Sequence, residues 1–133
     1  MWRSGYAHTM ISEGTSATLT FTVDEASTAI ALGSGDVPVL GTPKVVALVE
    51  EAAVAALAGS LGAGETSVGS NVNVDHLAPS LVGATVKAAA IVTAVEGRKI
   101  VFSVRVTEEG TAVARGTHTR FIVDRSAFVG DQT

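Results

Sequence analysis

The chain has 133 residues, of which 47% are hydrophobic and 17% charged, with no cysteine and a formal net charge of −4. That length suits one domain with one core, and the apolar content excludes disorder, which needs low hydrophobicity and high net charge. The lack of cysteine excludes disulfides, thiol catalysis and cysteine-ligated zinc, and nine Lys plus Arg against thirteen Asp plus Glu leave no basic stripe for nucleic acid.

Nothing points to a membrane. The longest apolar run, 52–59, falls far short of the roughly 20 residues that span a bilayer. Residues 1–14 are polar and lack the apolar stretch of a secretory signal. The expectation is a cytoplasmic protein with a small-molecule partner. Some of its surplus apolar surface is expected to be buried between subunits.

In chain order, residues 17–23 (ATLTFTV) predict a strand, with Ala17, Leu19, Phe21 and Val23 on one face and threonines on the other. From 25 to 41 the breakers Gly33, Gly35, Pro38 and Gly41 predict an irregular excursion with a short helical turn near 26–32. Residues 43–58 predict the one long helix. Thr42 is its expected N-cap, Pro43 occupies the first helical position, where a missing N–H costs nothing, and Gly59, Gly62 and Gly64 stop it. Only Lys44, Glu50 and Glu51 interrupt its apolar surface, so it is expected to be buried all round.

The remainder reads as strand. Residues 66–75 alternate Val68, Ser70, Val72 and Val74 against Ser67, Gly69, Asn71 and Asn73. Gly97 turns the apolar segment 84–96 into 99–107, and Glu108-Glu109-Gly110 turns that into 111–124, predicting a three-stranded antiparallel meander. The start of the chain and the residues after Arg125 are expected to fray. The whole reads as one α+β domain over 1–133, its core at about 17–124. A curved antiparallel sheet must wrap around the central helix, because a flat one would leave half of it wet. This arrangement resembles the hotdog fold, in which two subunits join their sheets edge to edge.

In a charge-poor chain, polar groups inside apolar segments carry information. Glu50 and Glu51 lie mid-helix and point about 100° apart, so they cannot share one environment. One is free to face a cavity or interface, where a carboxylate becomes a general acid or base near neutral pH. The plainer reading is a solvated strip or a pair with an arginine. His76 ends its strand beside a loop, which suits proton transfer as well as a structural role. His118 and Arg120 share one strand face, expected to be polar and outward for His118, whereas Arg120 could equally turn its guanidinium inward. Thr42 sits where helix N–H groups stabilise a carbonyl oxygen that gains charge. His8 carries no argument, and the three histidines show no metal-ligand spacing.

The segments VLGTPKVVALVE (39–50), SVG (67–69), VDH (74–76) and GTHTR (116–120), in that order and spacing, resemble the fluoroacetyl-CoA thioesterase family over about 17–124. The resemblance implies a dimeric hotdog enzyme, or a higher oligomer, that hydrolyses short acyl-CoA thioesters. Coenzyme A is then part of the substrate, and neither a cofactor nor a metal is expected. By the same resemblance, Thr42, Glu50 and His76 form the catalytic set, with Glu50 preferred over Glu51. Gly69 contacts the substrate through its backbone, and Arg120 lies near the acyl group. The family's fluoroacetyl-specific member has phenylalanines in the lid before the helix. Here residues 31–38 (ALGSGDVP) contain no aromatic, which favours a general short acyl-CoA or another acyl thioester over fluoroacetyl-CoA.

Thr42 and Glu50 are eight helical residues apart, about 12 Å along the axis. Either His76 and the substrate sit between them, or one group comes from the other subunit, and a compact triad is not expected. Thr42 could attack the thioester with His76 as base. Alternatively, His76 or Glu50 activates water while Thr42 orients the carbonyl, the favoured route because an unassisted threonine is a poor nucleophile. Two other readings compete. One is a non-catalytic acyl-CoA-binding dimer. The other is an enoyl-CoA hydratase, which Asp75-His76 fits badly because neighbours on a strand face opposite ways.

Overall fold

Alternation of apolar and polar residues produces five strands in the computed structural model, which describes residues 11–130. They are β1 (Ser16–Thr22), β2 (Glu65–His76), β3 (Thr85–Glu96), β4 (Lys99–Glu108) and β5 (Thr111–Asp124). All pair antiparallel in one sheet of order β1-β3-β4-β5-β2, so the meander predicted for the last three strands is present. Its β4–β5 turn is the tight two-residue kind that requires positive φ at both positions, met by Glu109 at 48° and Gly110 at 81°.

Two short helical turns, Glu25–Ser27 and α1 (Ala29–Leu32), occupy the excursion after β1. The long helix, α2 (Thr42–Leu57), contacts all five strands, which is the wrapped arrangement expected of a hotdog. Val45, Leu48, Val49, Ala52, Ala53, Ala56 and Leu57 turn into the core against Val86, Ala88, Ala90, Phe102 and Val104.

Three expectations need correction. The helix is not buried all round: Ala47, Glu51, Val54 and Ala55, at helical spacing, form an open stripe on which Val54 is 47% exposed. Thr42 is not the N-cap. Gly41 is, its carbonyl accepting the N–H groups of Lys44 and Val45; its own N–H is bound to the Ser27 carbonyl, and it packs so near Ala29 that a Cβ would stand 3.1 Å from the Ala29 backbone. The chain after Arg125 does not fray at once but forms α3 (Arg125–Val129), capped by the Asp124 carboxylate, which accepts the Ala127 N–H at 2.9 Å. That hydrogen bond holds the Asp124 carboxyl below its usual range. The ends 1–10 and 131–133 lie outside the described residues. Among the described residues, no helix is long and apolar enough to cross a membrane.

Among the described residues, Phe102 is the largest fully buried side chain, facing α2 from the middle of the sheet. Phe102→Ala is expected to lower unfolding free energy by about 3–5 kcal/mol in urea titration, as for other buried aromatic truncations, and a loss below about 1 kcal/mol would contradict this packing.

Candidate active site

The site is set out by one irregularity in β2. Glu65 to Gly69 pair in one register with β5 and Asn71 to His76 in another, leaving Ser70 as an extra, unpaired residue. Side chains alternate along a strand, so one inserted residue exchanges the faces beyond it. Ser67 and Gly69 therefore lie on the same side as Val72, Val74 and His76, opposite Ile122, Arg120, His118, Gly116 and Ala114. The uninterrupted alternation expected from the sequence would have put Gly69 and His76 on opposite faces. The bulge corrects that reading.

At the C-terminal end of β2, His76 meets the start of α2. Its Nδ1 lies 2.8 Å from Thr42 Oγ1. The hydroxyl is available because Gly41 performs the capping. Lys44 and Val45 already donate to Gly41 and Pro43 has no N–H, so Thr42 contributes the one unengaged backbone N–H of the first four helical residues. His76 Nε2 is buried and has no hydrogen-bond partner among the described residues. Thr42 and His76 lie in a cleft of about 360 Å³ with Gly35, Val37, Val39 and Leu77. The 31–38 segment supplies no aromatic ring to this wall, as its sequence requires.

Glu50 belongs to a second cluster, two turns along α2. Its Oε2 accepts from Arg120 Nη1 at 3.3 Å and lies 4.0 Å from His118 Nε2, and the side chain is 38% exposed. Arg120 is 6% exposed, with Nε donating to Ser67 Oγ at 2.9 Å and Nη2 to the Ser67 carbonyl at 3.0 Å. Gly69 makes room for this pair. A Cβ there would collide with Glu50 Oε2 and stand 3.1 Å from Arg120 Nη1. Glu51 is exposed on the open stripe.

His118 was expected on an outer polar face and instead is wholly buried, stacked at 6.0 Å on the Phe102 ring. Its Nδ1 donates to the Asn71 carbonyl at 2.7 Å, which leaves Nε2 to accept Arg120 Nη1–H at 3.2 Å. Burial first, and the Arg120 charge after it, hold the imidazole pKa below its ordinary value, against the opposing pull of Asn71 and Glu50. Burial also lowers the Arg120 pKa, opposed by Glu50. Ala114 and Ile122 share the His118 face at period two, but the partners that satisfy an inward imidazole, Asn71 and Phe102, are distant in sequence.

The chain thus joins Thr42 to His76, and Glu50 to Gly69 and Arg120. No hydrogen bond or ion pair connects the two sets among the described residues. Nor do the described residues contain a group of three His, Cys, Asp or Glu positioned for a metal.

Known proteins share the family and the fold. The model of the fluoroacetyl-CoA-specific thioesterase family matches residues 23–126. The fluoroacetyl-CoA thioesterase of Streptantibioticus cattleyicolor is 34% identical over 90 residues, 68% of this chain and 65% of that protein, so the matched stretch spans just under two thirds of this relative. A solved fluoroacetyl-CoA thioesterase superposes with a TM-score of 0.84 at 30% identity, covering 90% of this chain and 93% of that one. A thioesterase superfamily member from Thermus thermophilus gives 0.82 at 28% identity, covering 90% and 88%. A hot-dog-like protein from Thermanaerovibrio acidaminovorans shares the fold, with a TM-score of 0.84 at 24% identity over 93% and 92%. On these matches, the chain belongs to the fluoroacetyl-CoA-specific thioesterase family.

Proposed function

We propose that this protein hydrolyses short acyl-CoA thioesters, or related acyl thioesters, to free acid and thiol. The observation that carries this is the 2.8 Å contact between His76 Nδ1 and Thr42 Oγ1 at the open end of α2, beside a small apolar cleft. With the Nδ1 proton donated to Thr42, a small shift of the ring on substrate binding brings the buried Nε2 to one water; its lone pair takes a proton from that water, whose oxygen attacks the thioester carbonyl. The Thr42 N–H and O–H are then both free to donate to the carbonyl oxygen as it becomes an oxyanion. Collapse of the adduct breaks the C–S bond, and the leaving thiolate regains the proton from His76. In this reading Thr42 orients the carbonyl and is not the nucleophile. A related thioesterase has been solved with fluoroacetate and CoA, and another form with acetyl-CoA, which supports a short acyl-CoA as the substrate class. The cleft's lack of an aromatic wall favours short acyl groups in general over fluoroacetyl-CoA.

We further infer a homodimeric site. His76 does not sit between Thr42 and Glu50 but against Thr42, which leaves Glu50 about 12 Å away along α2. Strand β2 is at the sheet edge. Antiparallel pairing of that edge with a second copy runs the Gly69 end of one β2 past the His76 end of the other, bringing the Glu50 cluster to the second copy's cleft. A hydratase reading gains no support, since Asp75 is exposed and faces away from His76.

A panel from acetyl-CoA to dodecanoyl-CoA, followed with a thiol-reactive dye, is expected to show turnover that is fastest for the short acyl groups. His76→Ala and Glu50→Ala should each lower kcat by about 10²–10⁴-fold. Unchanged rates in both variants would overturn the assignment, and saturable binding without turnover would favour a carrier. If the site is shared, mixed dimers of the two variants regain activity that neither variant has alone. Gly69→Ala is expected to keep the fold, because the colliding atom is the far end of a flexible side chain. A crystal structure of that variant should show the Glu50 carboxylate displaced from Arg120, with a matching loss of kcat.

A further inference from the structure

We infer that His118 is a positioning residue for Glu50: the buried, neutral imidazole holds the Arg120 guanidinium in the one orientation that presents it to the Glu50 carboxylate. This rests on the reading of Glu50 as part of a thioesterase site and adds to that site a residue which never meets the substrate.

The geometry leaves the imidazole little freedom. From β2, the Asn71 carbonyl takes the Nδ1 proton at 2.7 Å; from β4, the Phe102 ring stacks on one face; from β5, Arg120 Nη1–H meets Nε2 at 3.2 Å; and from α2, the Glu50 carboxylate stands 4.0 Å from Nε2. With no exposure, the ring cannot rotate to water for an alternative partner. Its tautomer is therefore dictated by a backbone carbonyl, and Nε2 is an acceptor by necessity. The Arg120 guanidinium is held at its other end by Ser67, through both side chain and carbonyl, so its plane is fixed at two points. Arg120 Nη1 is the atom shared by His118 and Glu50. With Arg120 6% exposed and bonded to Ser67, His118 and Glu50, its guanidinium is set to orient the carboxylate.

Protonation of His118 would set an Nε2–H against an Arg120 N–H, two donors and two cations, and release Arg120. The sign follows from the depressed pKa. Between its folded value and the ordinary 6.5, the unfolded chain binds more protons than the folded one. The contribution of neutral His118 to stability is complete above about 6.5 and is lost as pH falls toward the folded pKa.

Three forms of the whole protein test this. Wild type should show, by ¹⁵N NMR, a His118 ring protonated on Nδ1 and bare on Nε2, and resolved, slowly exchanging Arg120 guanidinium protons. His118→Gln, which keeps an acceptor that does not titrate, should retain those protons and the activity while losing part of the acid-induced fall in Tm. His118→Phe, which keeps the ring but offers no acceptor, should broaden the Arg120 signals and lower kcat about tenfold, the loss expected for one hydrogen bond to a charged group, with KM little changed. A proton on Nε2 in wild type, or Arg120 signals and kcat in His118→Phe equal to wild type, would overturn the inference. So would an undiminished acid fall in Tm in His118→Gln, which decides the matter if His118→Phe does not fold. If no form releases thiol from acyl-CoA, the thioesterase reading fails, while the Arg120 signals still decide whether His118 positions the guanidinium.

Discussion

One extra residue in an edge strand, Ser70, sets the terms for everything the inner face of the sheet can do. A strand offers its two faces alternately, and an apolar core claims one of them along its whole length. Without the insertion, β2 could send Val72, Val74 and His76 inward or Ser67 and Gly69 inward, but not both. With it, the same strand supplies apolar packing, a cleft-lining histidine and a side-chain-free patch beside Arg120. The cost is one unpaired position on an edge strand, where the ladder has a neighbour on only one side.

A buried guanidinium is costly to desolvate, and its neighbours must satisfy it without becoming mobile themselves. Ser67 serves Arg120 from backbone and side chain at once, and β2 holds it in place. His118 is pinned by a backbone carbonyl and by Phe102. Glu50 is the member left half open, 38% exposed on the helix. The cluster thus grades from rigid and dry at the sheet to adjustable and wet at the helix. Polar networks in a low-dielectric interior specify geometry when every member is satisfied, and here the satisfied members lie behind the carboxylate.

Much of this was legible in the residues. The alternation of Ala17, Leu19 and Phe21 located β1, the Gly97 and Glu109-Gly110 turns located the meander, and Pro43 with Gly59 bracketed the helix to within a residue or two. Glu50 stood out because a charge in an apolar helix needs a reason. The illegible parts share a cause, namely that they depend on partners distant in sequence. The bulge at Ser70 is a property of the β2–β5 ladder and not of β2. Gly41 displaced Thr42 as the cap because Ala29 packs against it. His118 turned inward because Asn71, Phe102 and Arg120 together satisfy it, and no local pattern encodes all three. The open stripe on α2 likewise reflects how far a five-stranded sheet reaches around a helix, which composition does not reveal.

The substitution of Gly41 for Thr42 at the helix cap separates two duties that a single residue often combines. Where a threonine caps a helix, any change to its hydroxyl is also a change in fold stability. Here the helix start is held by backbone groups of Gly41 and Ser27, and the hydroxyl beside His76 bears no part of that load. Position 42 can therefore vary in chemistry, between hydroxyl, thiol and hydrogen-bonding amide, under little pressure from the usual trade between activity and stability. Diversification of this scaffold would find a permissive position there, beside His76 in the cleft.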